Sequence, residues 1–425
     1  MERFTITGPT RLEGSVTVAG AKNAALPALA ATLLAEQPVV LENLPQVRDI
    51  RTMVRLLQHL GVEACEDRAG LELQPALRPV ENVAPYDLVK TMRASVLVLG
   101  PSVARWGRAR VSLPGGCAIG VRPIDQHLAG LEALGAELRI EHGYVTARAK
   151  RLRGARFRFS LPTVTGTENL LMAACLADGV TRLSNCAREP EIADLATLLA
   201  AMGATIEGAG TETITIEGSP TLGGARHAIP GDRIEAGTYL IGAAITGGDV
   251  AVHGARAQDL VALLEVLRES GVSIESSGGA IRARGIGDGE GEDGGALHCP
   301  DVTTAPHPGF PTDLQAQFMA LATQSERPTT IHEAVFENRF QHAAELTRMG
   351  ARIRIEGSRA RVEGRSRLLG AHVMATDLRA SAGLVLAALC AQGETVVDRI
   401  YHLDRGYEQM ESKLQHLGAR VERTA

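Results

Sequence analysis

The sequence predicts an α/β fold of two domains, each made of three copies of one helix-and-strand unit whose most apolar helix lies buried at the centre. Three observations carry that prediction. First, six amphipathic segments of the 425-residue chain end on a glycine and run into a short β-like stretch: LLQHLGVEA (Gly61), LEALGAELRI (Gly135), LLAAMGATI (Gly203), LRESGVSI (Gly271), LTRMGARIRI (Gly350) and LQHLGARVE (Gly418). These glycines recur 68 to 79 residues apart, which marks an internal repeat. Second, each amphipathic segment follows a helix-length stretch that is apolar on most faces. Third, a Pro230-Gly231 break divides the six units three and three.

The opening MERFTITGPTRL alternates as a strand does, and VAGAKN at 18–23 leads into the first apolar stretch, AALPALAATLLA. Behind it, Ile50, Met53, Val54, Leu57 and Leu60 share one helical face, and Gly61 then takes the left-handed conformation that ends a helix. Units two to six repeat the plan with ASVLVLGPSVA, ENLLMAACLA, AGTYLIGAAIT, DLQAQFMALAT and RASAGLVLAALCA. Helices without a polar face belong in a domain centre with sheets around them. A strand follows most of them, as in GETVVDRIY at 393–401, and the Gly-, Asp- and Glu-rich stretch 284–295, which displaces the fifth repeat, reads as a solvated loop. The expected domains are 1–21 with 232–425, closed by the N-terminal strand, and 22–231.

Composition removes several classes of function. With 45% hydrophobic residues, a net charge of -5 and no Lys/Arg run, the chain offers large aliphatic cores and no general nucleic-acid surface. Six scattered cysteines form no CxxC pair and have no histidine at metal-ligand spacing, so neither a zinc site nor a disulfide framework is expected, and a reducing cytoplasm fits. The longest apolar stretches, Ala24 to Ala35 and Ala380 to Ala391, are short for a membrane span. Of 44 basic residues only Lys22, Lys90, Lys150 and Lys413 are lysine. In so arginine-rich a chain, each of these compact point charges merits scrutiny.

Cys117 stands out in LPGGCAIGVRP, directly after Gly115-Gly116 and five residues before Arg122. Two glycines give a side chain little packing support, so this thiol is a candidate for chemistry. Lys22, Arg93, Arg122, Asp313, Arg339, Asp377, Arg379 and Arg405 recur where chain enters a helix, and converging forked guanidinium groups suit phosphate or carboxylate. Plainer readings stand beside these. Asn23 fits a helix cap beside a surface lysine, Asp313 a helix-stabilising charge, and the 373–382 and 401–408 segments structural ion pairs. Cys65, Cys175, Cys186, Cys299 and Cys390 are expected in packing or loops, and Trp106 is expected to anchor a strand.

Together, GAKNAA, APYDLVKTMRAS, SLPGGCAIGVRP, AREPEI, TAPHPGFPTD, FENRF, ATDLRAS and VDRIYHLDRGYE, in that order, resemble the enolpyruvyl transferase family, in its branch acting on UDP-N-acetylglucosamine. The resemblance spans the whole chain. It implies a two-domain inside-out α/β barrel of six units. It also implies transfer of enolpyruvate from phosphoenolpyruvate to the 3′-hydroxyl of UDP-N-acetylglucosamine with release of phosphate, the first committed step of peptidoglycan precursor synthesis. No metal or organic cofactor is implied, the partners are these two small molecules with neither nucleic acid nor membrane, and the oligomeric state stays open. By matching motif, Cys117 is the general acid, Asp313 the base near the hydroxyl, and Lys22 and Arg405 are catalytic. Lys22, Asn23, Arg122, Arg339, Arg379 and Arg405 hold phosphoenolpyruvate. The sugar nucleotide falls to Arg93, Arg122, Pro123, Ile124, Asp125, Gln126, Pro162, Thr163, Val164, Thr165, Asp313 and Val335. The family's susceptibility to fosfomycin, which alkylates this cysteine, is implied as well. The shikimate-pathway branch shares the chemistry but lacks the cysteine loop.

Overall fold

A computed structural model describes residues 2–67, 70–76, 82–90, 92–113, 124–286 and 296–424. All six repeat glycines sit in the left-handed region, with φ between 92° and 105°. Past each of them the next N–H (Val62, Ala136, Ala204, Val272, Ala351, Ala419) donates at 2.9 to 3.0 Å to a carbonyl five residues back. That carbonyl always belongs to a leucine: Leu57, Leu131, Leu199, Leu267, Leu346 or Leu414. This is a Schellman closure, and every one of the six leucines is fully buried, so the glycine fixes both the end of the helix and its angle to the core.

The apolar stretches form the core helices Lys22–Ala31, Leu99–Trp106, Val164–Ala174, Arg233–Ile245, Gln315–Ala322 and Leu378–Cys390. Every residue of Gln315–Ala322 is buried. The amphipathic helices behind them, such as Arg48–His59 and Gln341–Arg348, bury one face only. Among the described residues, strands pair in six separate four-stranded sheets that share one pattern. In the third unit Arg156–Arg158 pairs parallel with Val180–Ser184 on the far side of the core helix. That strand pairs antiparallel with Thr213–Glu217, and Thr213–Glu217 with Thr205–Glu207. Strand, buried helix, parallel strand is a βαβ crossover, here covering only one face of each sheet.

Two compact units result, residues 2–19 with 231–424 and residues 20–113 with 124–230, each around its own aliphatic core. In the first, Arg3–Gly8 lies between Gly393–Asp398 and Arg420–Thr424, and Glu13–Thr17 is the parallel neighbour of Asp249–His253. In the second, Val39–Glu42 takes its parallel edge strand from Ala225–Ala228.

Two local expectations are corrected. Asn23 does not cap the first helix: the cap position is Ala21, and Asn23 lies within the first turn. Trp106 anchors no strand. It closes the helix Leu99–Trp106, because Gly107, at φ 71°, turns the chain before the strand Arg108–Ser112 begins.

Candidate active site

In the unit of residues 231–424, the turn Thr312–Leu314 delivers Asp313 to the head of the buried helix Gln315–Ala322. Its side chain does not cap that helix. Oδ1 instead accepts from Arg339 Nη2 at 2.7 Å, and Oδ2 from Arg379 Nε and Nη2 at 3.2 and 3.1 Å. Both arginines are nearly withdrawn from water, 6% and 3% exposed. Each guanidinium also lies over a ring, Arg339 5.1 Å from Phe336 and Arg379 5.4 Å from Tyr407. Burial works against the Arg379 charge, yet Asp313, Tyr407 and Asp232 hold its pKa above the ordinary arginine value. Its Nη1 has no hydrogen-bond partner among the described residues.

Two buried guanidinium groups converge on one carboxylate here, and forked donors of this kind suit a phosphate or carboxylate anion. Arg405 ends the turn Ile400–Arg405, half-buried, and this turn packs on the start of the Arg379 helix: a Cβ at Gly406 would lie 2.7 Å from Leu378. Glu333 joins two further candidates. Its Oε1 accepts from the N–H of Val335 at 3.0 Å, and its Oε2 from the Thr312 hydroxyl at 2.9 Å, while Thr312 accepts from Arg339 at 2.8 Å. Tyr407 is held from behind, its hydroxyl 2.9 Å from Thr238 and accepting from Gln317 at 3.1 Å. Glu333, Gln317 and Tyr407 were missed from sequence; only the nearness of Tyr407 to Arg405 hinted at any of them.

In the unit of residues 20–230, Lys22 opens its helix almost buried, with Nζ 3.3 Å from Asp49 on the neighbouring helix Arg48–His59. Asn23 follows, half-buried. Arg93 opens the turn Arg93–Val98 that feeds the next core helix. The two predicted nucleotide segments meet in this unit. Gln126 accepts from the Ser160 N–H at 2.7 Å and donates to the Leu161 carbonyl at 3.1 Å, which holds the chain just ahead of Pro162. Thr163 caps the helix Val164–Ala174, while Ile124 and Asp125 begin the helix that carries Gln126.

His127 ties these segments deeper in the unit. Gly100 N–H donates to Asn169 Oδ1 at 2.7 Å, so the Asn169 amide presents N–H groups to the Val96 carbonyl at 2.9 Å and to His127 Nδ1 at 3.0 Å. Nε2 must then carry the proton, donating to Thr165 Oγ1 at 3.2 Å. Burial, with Arg93 nearby, pushes the His127 pKa down to about 3 and keeps it neutral.

Cys117, Arg122 and Pro123 lie outside the described residues. Burial raises the thiols of Cys175, Cys299 and Cys390 to about 12 and that of Cys186 to about 11, and Cys65 is exposed on a strand. Among the described residues no cluster of three potential metal ligands occurs, and no helix is long and apolar enough to cross a membrane.

Residues 6–414 match the family model of EPSP synthase (3-phosphoshikimate 1-carboxyvinyltransferase). A protein of Koribacter versatilis named UDP-N-acetylglucosamine 1-carboxyvinyltransferase is 58% identical over 100% of this chain and 96% of its own length. One of the same name from Magnetococcus marinus is 54% identical over 100% of this chain and 99% of its own. Among solved structures, the enolpyruvyl transferase NikO of Streptomyces tendae superposes with a TM-score of 0.89 at 27% identity, covering 100% of this chain and 99% of that one. EPSP synthase of Acinetobacter baumannii superposes at 0.75 over 100% of both chains with 18% identity, a likeness of fold alone.

Proposed function

The chain belongs to the enolpyruvyl transferases, in the group named UDP-N-acetylglucosamine 1-carboxyvinyltransferase, and from that premise we propose that it transfers enolpyruvate from phosphoenolpyruvate to the 3′-hydroxyl of UDP-N-acetylglucosamine, releasing phosphate. The observation that carries the substrate choice is 54% to 58% identity to full-length relatives of that name. The geometry supports the chemistry: Asp313 sits against two buried arginines whose forked donors suit an anion.

The reaction adds a proton to the methylene carbon of phosphoenolpyruvate while the sugar hydroxyl bonds to the adjacent carbon. Loss of a methyl proton and of phosphate then restores the double bond. Asp313 takes the hydroxyl proton and Cys117 delivers the proton to carbon. Arg339, Arg379 and Arg405, with Lys22, Asn23 and Arg122, hold the phosphate and carboxylate of phosphoenolpyruvate. Arg379 Nη1, unpartnered among the described residues, is a donor available to such an anion without breaking a bond already made. The sugar nucleotide is held by Arg93, by residues 122–126 and 162–165, and by Asp313 and Val335. Gln126 and His127 keep the first two segments in register.

The purified protein is expected to release inorganic phosphate when UDP-N-acetylglucosamine and phosphoenolpyruvate are both present, and none with either alone. Release with shikimate 3-phosphate in place of the sugar nucleotide would move the assignment to the other branch, and no release with either acceptor would end it.

A further inference from the structure

We propose that a cleft of about 600 Å³ in the unit of residues 20–230, lined by Trp106, Arg108, Arg148, Lys150, Arg151 and Arg153, binds a small oligophosphate. It shares no lining residue with the active-site groups. Its walls are set by backbone. Ala149 N–H donates to the Gly107 carbonyl at 2.9 Å, and Arg153 N–H to the Leu134 carbonyl at 2.8 Å, so the 149–153 segment is folded back over two helix ends. Gly107 permits this approach, since a Cβ there would stand 2.8 Å from the Ala149 carbonyl oxygen.

The charge pattern is costly for a surface that binds nothing. Arg108 and Arg148 stand directly opposite on paired antiparallel strands, where like charges destabilise. Arg151 pairs with Asp178 at 2.6 Å, but Arg108, Arg148, Lys150 and Arg153 form no ion pair among the described residues. The other three lysines of the chain are each held by a carboxylate, Lys22 by Asp49, Lys90 by Asp87 and Lys413 by Glu235. Glu137, the one lining carboxylate, stands opposite Arg148 without a salt bridge. The two helices ending here contribute the equivalent of about one negative charge. Against that charge, Glu137 and Asp178, the five cations retain a surplus of about two. In a chain of net charge -5 this is a local concentration of cations. The indole N–H of Trp106 is buried without a partner among the described residues, a further donor beside the cleft. The volume suits a ligand of nucleotide size, and phosphate oxygens match guanidinium forks and a lysine point charge.

Trp106 is the only tryptophan, so its fluorescence, excited at the red edge, reports on this cleft alone. Titration with inorganic tripolyphosphate is expected to give a saturable change, weakened at least about tenfold by Lys150→Glu or by Arg153→Glu. Both side chains are exposed, so folding and phosphate release should be unaltered in these variants. Tighter binding of a nucleoside triphosphate than of tripolyphosphate would identify a nucleotide as the ligand, and the reverse order an inorganic chain. The proposal fails if there is no saturable change, if sodium chloride of equal ionic strength reproduces it, if an oligoglutamate peptide binds as tightly, or if both variants bind as the parent does.

Discussion

Asp232, Asp313 and Asp377 occupy the same step of their repeats, the entry to a core helix, and two of them do what an aspartate there ordinarily does. Asp232 accepts from the N–H groups of Ile234 and Glu235, and Asp377 from those of Arg379 and Ala380. Asp313, in the same Thr-Asp-Leu triplet as Asp377, leaves its helix uncapped and takes two arginines. Repetition thus supplies an internal control. Asp377→Ala should lower the unfolding free energy by about 1 kcal/mol, with Asp377→Asn restoring it, because asparagine caps as well as aspartate. Asp313→Asn should instead cut kcat by roughly 10² to 10⁴, the usual worth of a positioned base. Steady-state rates and urea titrations separate the two, and an Asp313→Asn enzyme of parental kcat would remove the base assignment. At this scale the sequence exposed the cations and Asp313, because charge at a helix entry is visible locally. It did not expose Glu333, Gln317 or His127, which act through partners up to 90 positions away. The cysteines carry a second residue-scale prediction. Thiols held at about 11 to 12 supply almost no thiolate at neutral pH, so fosfomycin should leave Cys175, Cys186, Cys299 and Cys390 unmodified and label Cys117. Peptide mass spectrometry showing the adduct elsewhere would withdraw the role given to Cys117.

At the scale of elements, the six closures were legible because glycine at a helix end is a local signal with a single conformational cause. At Gly203, φ is 105° and an added Cβ would meet no atom within 4 Å, so the cost of Gly203→Ala is backbone strain alone. That variant should lose about 1 to 2 kcal/mol, a fall in Tm of a few degrees, with kcat and KM unchanged. No change in Tm would mean that the closure does not depend on glycine. The core helices were legible for a similar reason, since a stretch apolar on every face has nowhere to go but inside. Sheet partners were not. Ala225–Ala228 completes the sheet of Val39–Glu42 across most of a unit, and Arg3–Gly8 inserts between two strands from the far end of the chain. Such register is decided by how the units close, and no short window of sequence records it.

For the molecule as a whole, the buried titratable groups oppose one another in a way that sets where it is most stable. His127 and His342 are neutral in the fold, held at about 3 and about 4 chiefly by burial, against 6.5 unfolded. Their contribution is present above pH 6.5 and is lost as pH falls through that window. Glu235, buried and paired with Lys413, is raised to about 7, and Glu168, wholly buried near Glu191 and Glu189, is raised well above its ordinary value. A raised carboxyl works the other way: its contribution is complete below 4.5 and is lost as pH climbs through the folded pKa. Between pH 4.5 and 6.5 unfolding lets two imidazoles bind protons and two carboxyls release them, so the four effects nearly cancel. Below 4.5 only the histidines still respond, and above 6.5 only the carboxyls. Each uncompensated proton tilts stability by about 1.4 kcal/mol per pH unit. Urea unfolding should therefore give its highest free energy near pH 5.5, with losses at pH 3.5 and at pH 8. Replacing His127 by glutamine should flatten the acid limb and leave the alkaline one. A curve that rises from pH 5.5 to about 6.5 on the histidines alone and then stays level to pH 8 would show that the two buried glutamates are ionised in the fold, and that the ion pair of Glu235 with Lys413 outweighs its desolvation.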